Sequence, residues 1–160
     1  MARGPRILLE YVCYHIINRG NQKQKVFLEE SDFQKYLQIL KHYKKRYNFK
    51  IFGYCLMPNH VHIIMEPKQP DDLAKVMQSI TQTYSMWFNN KYKKVGHLWQ
   101  GRFRSMVIQK DRYFMECVYY IEANPVRAEL ISSPLEYRWS SYKERIFSNK
   151  GTILDLPDST

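Results

Sequence analysis

Residues 49–66, FKIFGYCLMPNHVHIIME, hold two apolar runs with the pair Pro58-Asn59 between them. Both runs are rich in aromatic and β-branched residues, which favour strands, and a Pro-Asn pair favours a tight turn. We therefore predict that residues 49–57 and 60–66 form an antiparallel hairpin. The segments on each side of this hairpin decide which fold contains it.

The segments before the hairpin predict one strand and one helix. Residues 11–18, YVCYHIIN, are aromatic and β-branched and run into the turn signal RGN at residues 19–21. Ser31 begins a capping-box pattern, SDFQ, and apolar residues then recur at helical spacing as far as Tyr47. The first half of the chain is therefore expected to run strand, helix, strand, strand.

A helix and a strand are predicted again after the hairpin. Residues 70–72, PDD, open a second helix whose apolar period lasts to Phe88, and residues 103–109, FRSMVIQ, are a candidate fourth strand. Asp111 is the expected N-cap of a third helix that ends at residues 124–125. The order β-α-β-β-α-β with a further helix predicts an α+β, ferredoxin-like fold, in which an antiparallel sheet has helices on one face plus a C-terminal helix.

The size and charge of the chain restrict its organisation and its partners. It has 160 residues, 44% of them hydrophobic, which is enough for one domain core and short for two. We predict a single domain over residues 1–147 and a flexible tail over residues 148–160. Lysine and arginine number 25 against 15 acidic residues, so the net charge of +10 favours nucleic acid over an anionic membrane surface as the partner.

Neither secretion nor a membrane span is predicted. The first 20 residues contain no long apolar run and no small-residue cleavage site. The cysteines Cys13, Cys55 and Cys117 lie far apart in apolar stretches, as reduced core thiols do. We expect a cytoplasmic, nucleoid-associated protein without a membrane partner.

Basic residues alternate with aromatic ones in three segments. They are residues 41–47 (KHYKKRY), 91–94 (KYKK) and 99–104 (WQGRFR). Cations can hold phosphates while rings stack on unpaired bases, which suits single-stranded or hairpin nucleic acid better than a regular duplex. The first segment is equally consistent with the solvated face of a helix, so the segment around Trp99 is the stronger candidate.

The second strand of the predicted hairpin begins with His60-Val61-His62. Alternation along a strand puts the two imidazoles on one face and Val61 and Ile63 on the other. Two nitrogen ligands would then share one point in space. A pair of hydrogen-bonded polar residues at a strand start is the competing interpretation.

The third helix supplies a possible complement to the two imidazoles. Tyr120 and Asn124, four residues apart, fall on the flank of its apolar stripe. That stripe consists of Phe114, Cys117, Val118 and Ile121. If the flank faces the histidine strand, Asn124 is a candidate third ligand, and a nearby cation would favour the reactive phenolate of Tyr120. The other interpretation is a tyrosine that only flanks the core.

Four motifs occur in an order that resembles the single-tyrosine HUH transposases. They are YHIINRGN at residues 14–21, MPNHVH at 57–62, LWQGRF at 98–103 and YIEANPVRA at 120–128. With YRWSSY at residues 137–142, the chain is most similar to the REP-associated tyrosine transposase branch, over residues 10–145.

The resemblance implies a function and a set of site residues. His60 and His62 would be the paired histidines, Tyr120 the nucleophile, and Asn124 the residue that completes a site for Mg²⁺ or Mn²⁺. The family cuts single-stranded DNA, often beside a hairpin, through a 5′-phosphotyrosine and a free 3′-hydroxyl, and strands are thereby exchanged. Contact with DNA is assigned to Arg19, Trp99, Gln100, Arg102, Arg104 and Arg127.

Two features of the last motif bear on that assignment. Tyr119 adjoins Tyr120, but only Tyr120 has the Tyr-x-x-x-Asn-Pro spacing, and Tyr119 points about 100° away on a helix. Some family members have a glutamine in place of Asn124, so the shorter side chain here could alter the preferred metal.

Other functions remain to be weighed against this one. A non-catalytic module that binds single-stranded nucleic acid on an RNA-recognition-like sheet is the main alternative, but it has no use for paired histidines with a helical tyrosine and asparagine. A histidine-triad hydrolase needs a third alternating histidine, where this chain has Ile64. The sequence leaves open the DNA specificity, a mobile or domesticated role, and whether a monomer or a homodimer forms the site.

Overall fold

In a computed structural model of the chain, the structure is described for residues 13–147 and 153–155. The strands of this part are β1 (Cys13–Arg19), β2 (Lys50–Met57), β3 (His60–Glu66) and β4 (Arg104–Ile108). Its α-helices are α1 (Glu30–Tyr47), α2 (Asp72–Tyr92), α3 (Phe114–Glu122), α4 (Asn124–Arg127) and α5 (Tyr142–Phe147). The predicted order of elements is confirmed, and the strand ends that can be compared differ from the prediction by at most one residue. Residues 11–12, the predicted start of the first strand, lie outside the described residues.

The four strands form one sheet in the order β2-β3-β1-β4, and every neighbouring pair is antiparallel. This is the ferredoxin-like arrangement that the β-α-β-β-α-β order predicts, so the predicted fold class is confirmed. The register places Ile17 opposite His62 and Arg19 opposite His60. The two central strands therefore bring the motifs at residues 14–21 and 57–62 side by side.

The two faces of the sheet are covered by different helices. Val61, Ile63 and Met65 belong to the main core, which includes the buried residues of α1 and α2. On the other face, Ile64 lies in a smaller apolar cluster with residues of α3. That cluster contains Phe114, Val118 and Ile121, with Cys117 packed against it. The predicted apolar stripe of the third helix is therefore confirmed.

The start of α1 differs from the prediction. The helix begins at Glu30, with Glu29 as its N-cap, rather than with Ser31. The carboxylate of Asp32 accepts hydrogen bonds from the backbone N–H groups of Leu28 and Glu29, at 2.8 and 3.1 Å. Asp32, which is fully buried, is thus the third residue of the helix in a capping box, and its side chain holds the backbone of the N-cap residue Glu29.

The predicted third helix is shorter and is interrupted. It begins at Phe114, and its N-cap is Tyr113 rather than the predicted Asp111. Asp111 caps the preceding turn instead: its carboxylate accepts a hydrogen bond from the N–H of Tyr113, and its backbone carbonyl accepts one from the N–H of Phe114. It ends at Glu122, and Ala123 separates it from α4. Pro125 explains the break, since proline has no N–H to continue the ladder and its ring clashes with the carbonyl four residues earlier.

A buried ion pair ties α3 to α5. Nη2 of Arg145 lies 3.1 Å from Oε2 of Glu122, and both side chains are almost completely buried. The same carboxylate oxygen accepts a hydrogen bond from the hydroxyl of Ser141, and Arg145 also donates to the backbone carbonyl of Phe52 on β2. A close approach at Gly53 helps α3 to lie against β2, because a Cβ there would be 3.2 Å from Cγ1 of Val118.

Most of the predicted flexible tail, residues 148–152 and 156–160, lies outside the described residues. Between these segments, Ile153 is buried, and Asp155 accepts a hydrogen bond from the backbone N–H of Ile51 and forms an ion pair with Lys44. The domain boundary at residue 147 stays a prediction. Among the described residues, no helix has the length and hydrophobicity needed to cross a bilayer.

Candidate active site

His60 and His62 lie at the start of β3, on the sheet face that carries α3. Their ring centroids are 4.9 Å apart. His62 is 7% exposed and His60 is partly buried. The alternation of β3 thus places both imidazoles on one face and Val61 and Ile63 on the other, as the sequence predicts.

Both imidazoles are held by hydrogen bonds at Nδ1. Nδ1 of His60 lies 2.7 Å from Oδ1 of Asn59, and since an amide oxygen can only accept, the imidazole N–H is the donor. Nδ1 of His62 lies 2.9 Å from Nε2 of His15 on β1. A proton on Nδ1 leaves the lone pair of Nε2 free for a metal ion, and this is how metal-binding histidines are usually oriented.

The contact of His15 with His62 was not predicted from the sequence. His15 lies on β1, in the first of the four motifs, and its ring stacks on that of His62 with centroids 5.2 Å apart. The signal that could have found it is the alternation of residues 15, 17 and 19 along β1. That signal needs the pairing of β1 with β3, which the sequence alone does not provide.

The three imidazoles are neutral at physiological pH. Burial, aided by the positive charge of Arg19, lowers the pKa of His60 to about 4. Burial, with the neighbouring His60 as the next contribution, lowers the pKa of His62 to about 3. Burial also lowers the pKa of His15. Neutral imidazole is the form that binds metal ions.

Asn124, the first residue of α4, meets the histidine strand. Its Nδ2 lies 3.3 Å from Nε2 of His60, although 64 residues separate the two in the chain. Rotating the amide by 180° would direct Oδ1 to the same place, because amide oxygen and nitrogen occupy equivalent positions. The predicted third ligand is therefore beside the predicted pair.

Tyr120 lies one helical turn before Asn124 and is 61% exposed. The guanidinium of Arg127 stacks over its ring, with Cζ 3.7 Å from the ring centroid. Tyr120 and His15 both line an open cavity of about 380 Å³ between α3 and the sheet, together with Met106 on β4. The phenol of Tyr120 and the imidazole of His15 therefore border the same open cavity.

The donors in this site fit a divalent ion of moderate hardness. They are two imidazole nitrogens with their Nδ1 atoms engaged and one carboxamide, a mixture suited to Mn²⁺ or Mg²⁺ with water in the remaining positions. The described residues contain no cluster of three His, Cys, Asp or Glu side chains that could hold a metal ion. A metal here would therefore depend on Asn124 as its third protein ligand.

Four of the residues predicted to contact DNA line one cavity beside the histidines. This arginine cavity has a volume of about 340 Å³. It is lined by Arg19, Gln100, Arg102 and Arg104, with Ile17 and Gly101. Arg19 is exposed and lies opposite His60 in the sheet, so the cavity opens directly next to the paired imidazoles.

Two aromatic segments predicted to contact nucleic acid have structural contacts instead. Trp99 is 8% exposed, packs against Tyr36 and Tyr84, and donates its indole N–H to the carbonyl of Thr81. Its ring is therefore not available for stacking on a base, and it supports the segment that carries Gln100 and Arg102. Lys91 likewise forms an ion pair with the buried Asp32, at 2.7 Å.

Comparison with known proteins identifies the family. The family described as "Transposase IS200 like" matches residues 9–124, well over half of the 160 residues. The chain belongs to the IS200-like transposase family. The transposase family inferred from the four motifs is thereby confirmed.

Two similar proteins are REP-associated by name. A Haemophilus influenzae protein named "Putative REP-associated tyrosine transposase" is 26% identical over 118 residues, which are 67% of this chain and 64% of that protein. This transposase chain thus matches less than two thirds of that relative's length. A solved structure of a REP-associated tyrosine transposase bound to a REP hairpin is 18% identical, with a TM-score of 0.77 over 100% of this chain and 94% of that one. The second likeness establishes the shared fold.

Proposed function

We propose that this chain cuts single-stranded DNA beside a hairpin and joins the cut strand to another, with Tyr120 as the nucleophile. His60, His62 and Asn124 would hold Mg²⁺ or Mn²⁺. The observation that carries the proposal is the 3.3 Å approach of the Asn124 amide to Nε2 of His60. Asn124 begins α4, one residue after the helix that carries Tyr120 ends, so this approach supports a site that combines a phenol, two imidazoles and an amide.

The reaction is a pair of phosphoryl transfers. The phenolic oxygen of Tyr120 attacks the phosphorus of a phosphodiester, the bond from phosphorus to the 3′-oxygen breaks, and that oxygen leaves with a proton as a 3′-hydroxyl. The proton of the phenol passes to solvent, to which this ring is open. A 3′-hydroxyl from another strand then attacks the phosphotyrosine, restores the phenol and joins the strands, so no ATP is needed.

The residues around Tyr120 have separate contributions to that reaction. A divalent ion bound by the imidazoles and Asn124 would polarise the phosphate oxygens. Arg127 holds the Tyr120 ring by stacking on it, and a planar guanidinium in this position can also donate to a phosphate. The arginine cavity would bind the phosphates that follow along the strand.

Hairpin DNA is the proposed substrate. The solved structure with the same fold holds a REP hairpin, and the Haemophilus relative is also named for REP elements. The net charge of +10 and the arginine cavity beside the histidines suit a negatively charged strand. We also propose a site formed within one chain, because Asn124 meets His60 of the same chain.

The sheet gives little support to a non-catalytic RNA-recognition-like module. Such modules bind bases on an open sheet face. Here α1 and α2 cover one face, and α3 packs on β2 and β3 of the other through Val118 and Ile121. The uncovered part of the sheet is the end that carries the histidines and arginines.

A covalent adduct between Tyr120 and the 5′-phosphate of the cut strand tests the proposal. An oligonucleotide with a fixed hairpin flanked by randomised bases is incubated with the protein and Mn²⁺, and the products are separated in SDS. A label at the 3′ end should move with the protein, because the tyrosine keeps the 5′-phosphate of the downstream fragment. A label at the 5′ end should give only a shortened, protein-free fragment that ends in a 3′-hydroxyl.

Adjacent tyrosines provide the matched control. Tyr120→Phe should abolish the adduct, whereas Tyr119→Phe should retain it. Loss of the adduct in Tyr119→Phe with retention in Tyr120→Phe would overturn the nucleophile assignment. A mixture of Tyr120→Phe with His62→Ala tests the site within one chain. We expect no adduct from that mixture, and restored adduct formation would show that the tyrosine acts in a partner's site.

A further inference from the structure

Asn18 is a buried polar side chain in an apolar environment. It is 2% exposed, and neither Oδ1 nor Nδ2 has a hydrogen-bond partner within the part of the chain that the structure describes. It lies on β1, on the face where Tyr14 and Ile16 are in the main core. Buried amides are almost always hydrogen-bonded, so an orphaned donor and acceptor on one side chain need an explanation.

Asn18 lines a cavity of about 360 Å³ that lies outside the histidine site. Asn18, Gln78, Thr81, Arg102 and Phe103 contribute to its lining. A cavity that combines an aromatic residue, two amide side chains and a hydroxyl can surround a flat heterocycle and pair with the donors and acceptors on its edge. Packing alone does not explain the amide at position 18, because an apolar side chain there would extend the core formed by Tyr14 and Ile16.

The cavity at Asn18 shares two lining residues with the arginine cavity. Gly101 and Arg102 line both. Gly101 has a φ of +63°, a left-handed conformation that glycine adopts readily, and this turn carries the chain around the open edge of the sheet next to β4. A nucleotide whose phosphate is bound by Arg102 therefore has the cavity at Asn18 within its own reach.

We propose that the cavity at Asn18 takes one unstacked nucleobase of the single strand and recognises it through the Asn18 amide. This inference rests on the proposed function, because it assigns a position in the same DNA substrate. An amide side chain offers one donor and one acceptor side by side, and paired contacts of that kind discriminate between bases. The base identity at one position of the flanking strand should consequently depend on Asn18.

Selective binding tests this assignment separately from cleavage. The wild-type chain is mixed in EDTA with the pool of fixed hairpins and randomised flanks, so that strands are bound but the metal-dependent reaction is blocked, and the retained strands are sequenced. The wild type should enrich one base at one flanking position by about tenfold or more, as one bidentate base contact does. Asn18→Ala should lose that enrichment and keep the preferences at the other positions.

Two further variants sharpen the result. Asn18→Asp replaces the donor of the amide with a second acceptor, so the preferred base at the same position should change. Gln78→Ala alters an exposed residue of the cavity lining and should weaken the same preference. It takes the place of the Asn18 variants if those do not fold. Gln82→Ala, an exposed glutamine one turn along α2, should leave every preference unchanged.

Abasic substitution provides an independent measurement. Removing the base at the selected position should lower the affinity of the wild type by the same factor as Asn18→Ala and should not lower that of Asn18→Ala further. Unchanged base preferences in folded Asn18→Ala, or in Gln78→Ala if the former does not fold, would overturn the inference while the Tyr120 adduct stands. Failure of the wild type to retain any hairpin strand would overturn both proposals.

Discussion

The two faces of the sheet are built from the same strands and have opposite properties. Val61, Ile63 and Met65 of β3 are at most 1% exposed and are part of a continuous apolar core. His60 and His62, which alternate with them, lie beside polar partners and an open cavity. One strand thus supplies both part of the core and the two proposed metal ligands, and the alternation of side chains separates them.

The helix that carries Tyr120 is joined to α5 by the buried ion pair of Glu122 with Arg145. Arg145→Met would leave the carboxylate of Glu122 buried without its partner, and we expect a loss of about 3–5 kcal/mol in the free energy of unfolding. Urea denaturation measures it. The double variant Glu122→Met with Arg145→Met is the control and should recover most of the stability. Equal losses in the single and double variants would show that the charge itself is unimportant.

Substitutions on the two sides of β3 should separate stability from metal binding. Ile63→Ala creates a cavity in the main core and should cost about 2–5 kcal/mol, with Mn²⁺ binding retained in the protein that remains folded. His60→Ala should abolish tight Mn²⁺ binding and change stability much less. Denaturation and Mn²⁺ titration on both variants provide the comparison. Parallel losses in both measurements would mean that the two faces are not independent.

His15 should affect the metal site through the orientation of His62. Its Nε2 lies 2.9 Å from Nδ1 of His62, and loss of such a supporting contact lowers metal affinity about 10–100-fold. His15→Ala should therefore raise the Kd for Mn²⁺, measured by electron paramagnetic resonance of the free ion. The exposed His42 on α1 is the matched control, and His42→Ala should leave the Kd unchanged. An unchanged Kd in His15→Ala would remove its positioning role.

Burial of the paired histidines should make the stability of the fold depend on pH. The unfolded chain protonates its imidazoles below about pH 6.5, whereas burial keeps the pKa of His60 at about 4 and that of His62 at about 3 in the folded chain. Because the unfolded state binds more protons in this range, stability should fall as the pH decreases from 6.5 and level off below 3. Denaturation at several pH values should show that the free energy of unfolding depends less on pH between 6.5 and 4 in the double variant His60→Asn with His62→Asn than in the wild type.

The periodic features of the fold were predictable from the sequence. The alternation of residues 60–66 and the helical spacing after residue 31 depend on local patterns, so they predicted the hairpin, the helices and the shared face of His60 and His62. The stripe of α3 followed for the same reason. The order of these elements then predicted the fold.

The contacts between distant residues were not predictable in the same way. Asp32 replaced Ser31 in capping α1 because Lys91 and Tyr92 come from α2 to meet it. The buried Glu122 depends on Arg145, which follows 23 residues later in a short helix. The basic residues next to Trp99 predicted an exposed ring, but the ring packs in the core. Each of these outcomes depends on strand register or helix packing, which local patterns do not specify.

A crystal structure of the protein with Mn²⁺, measured with anomalous scattering at the manganese edge, tests the central claim most directly. The account predicts one anomalous peak bonded to Nε2 of His60, Nε2 of His62 and Oδ1 of Asn124, with the hydroxyl of Tyr120 on the same side of the sheet. A peak bound by other residues, or none at these atoms at a saturating Mn²⁺ concentration, would contradict it.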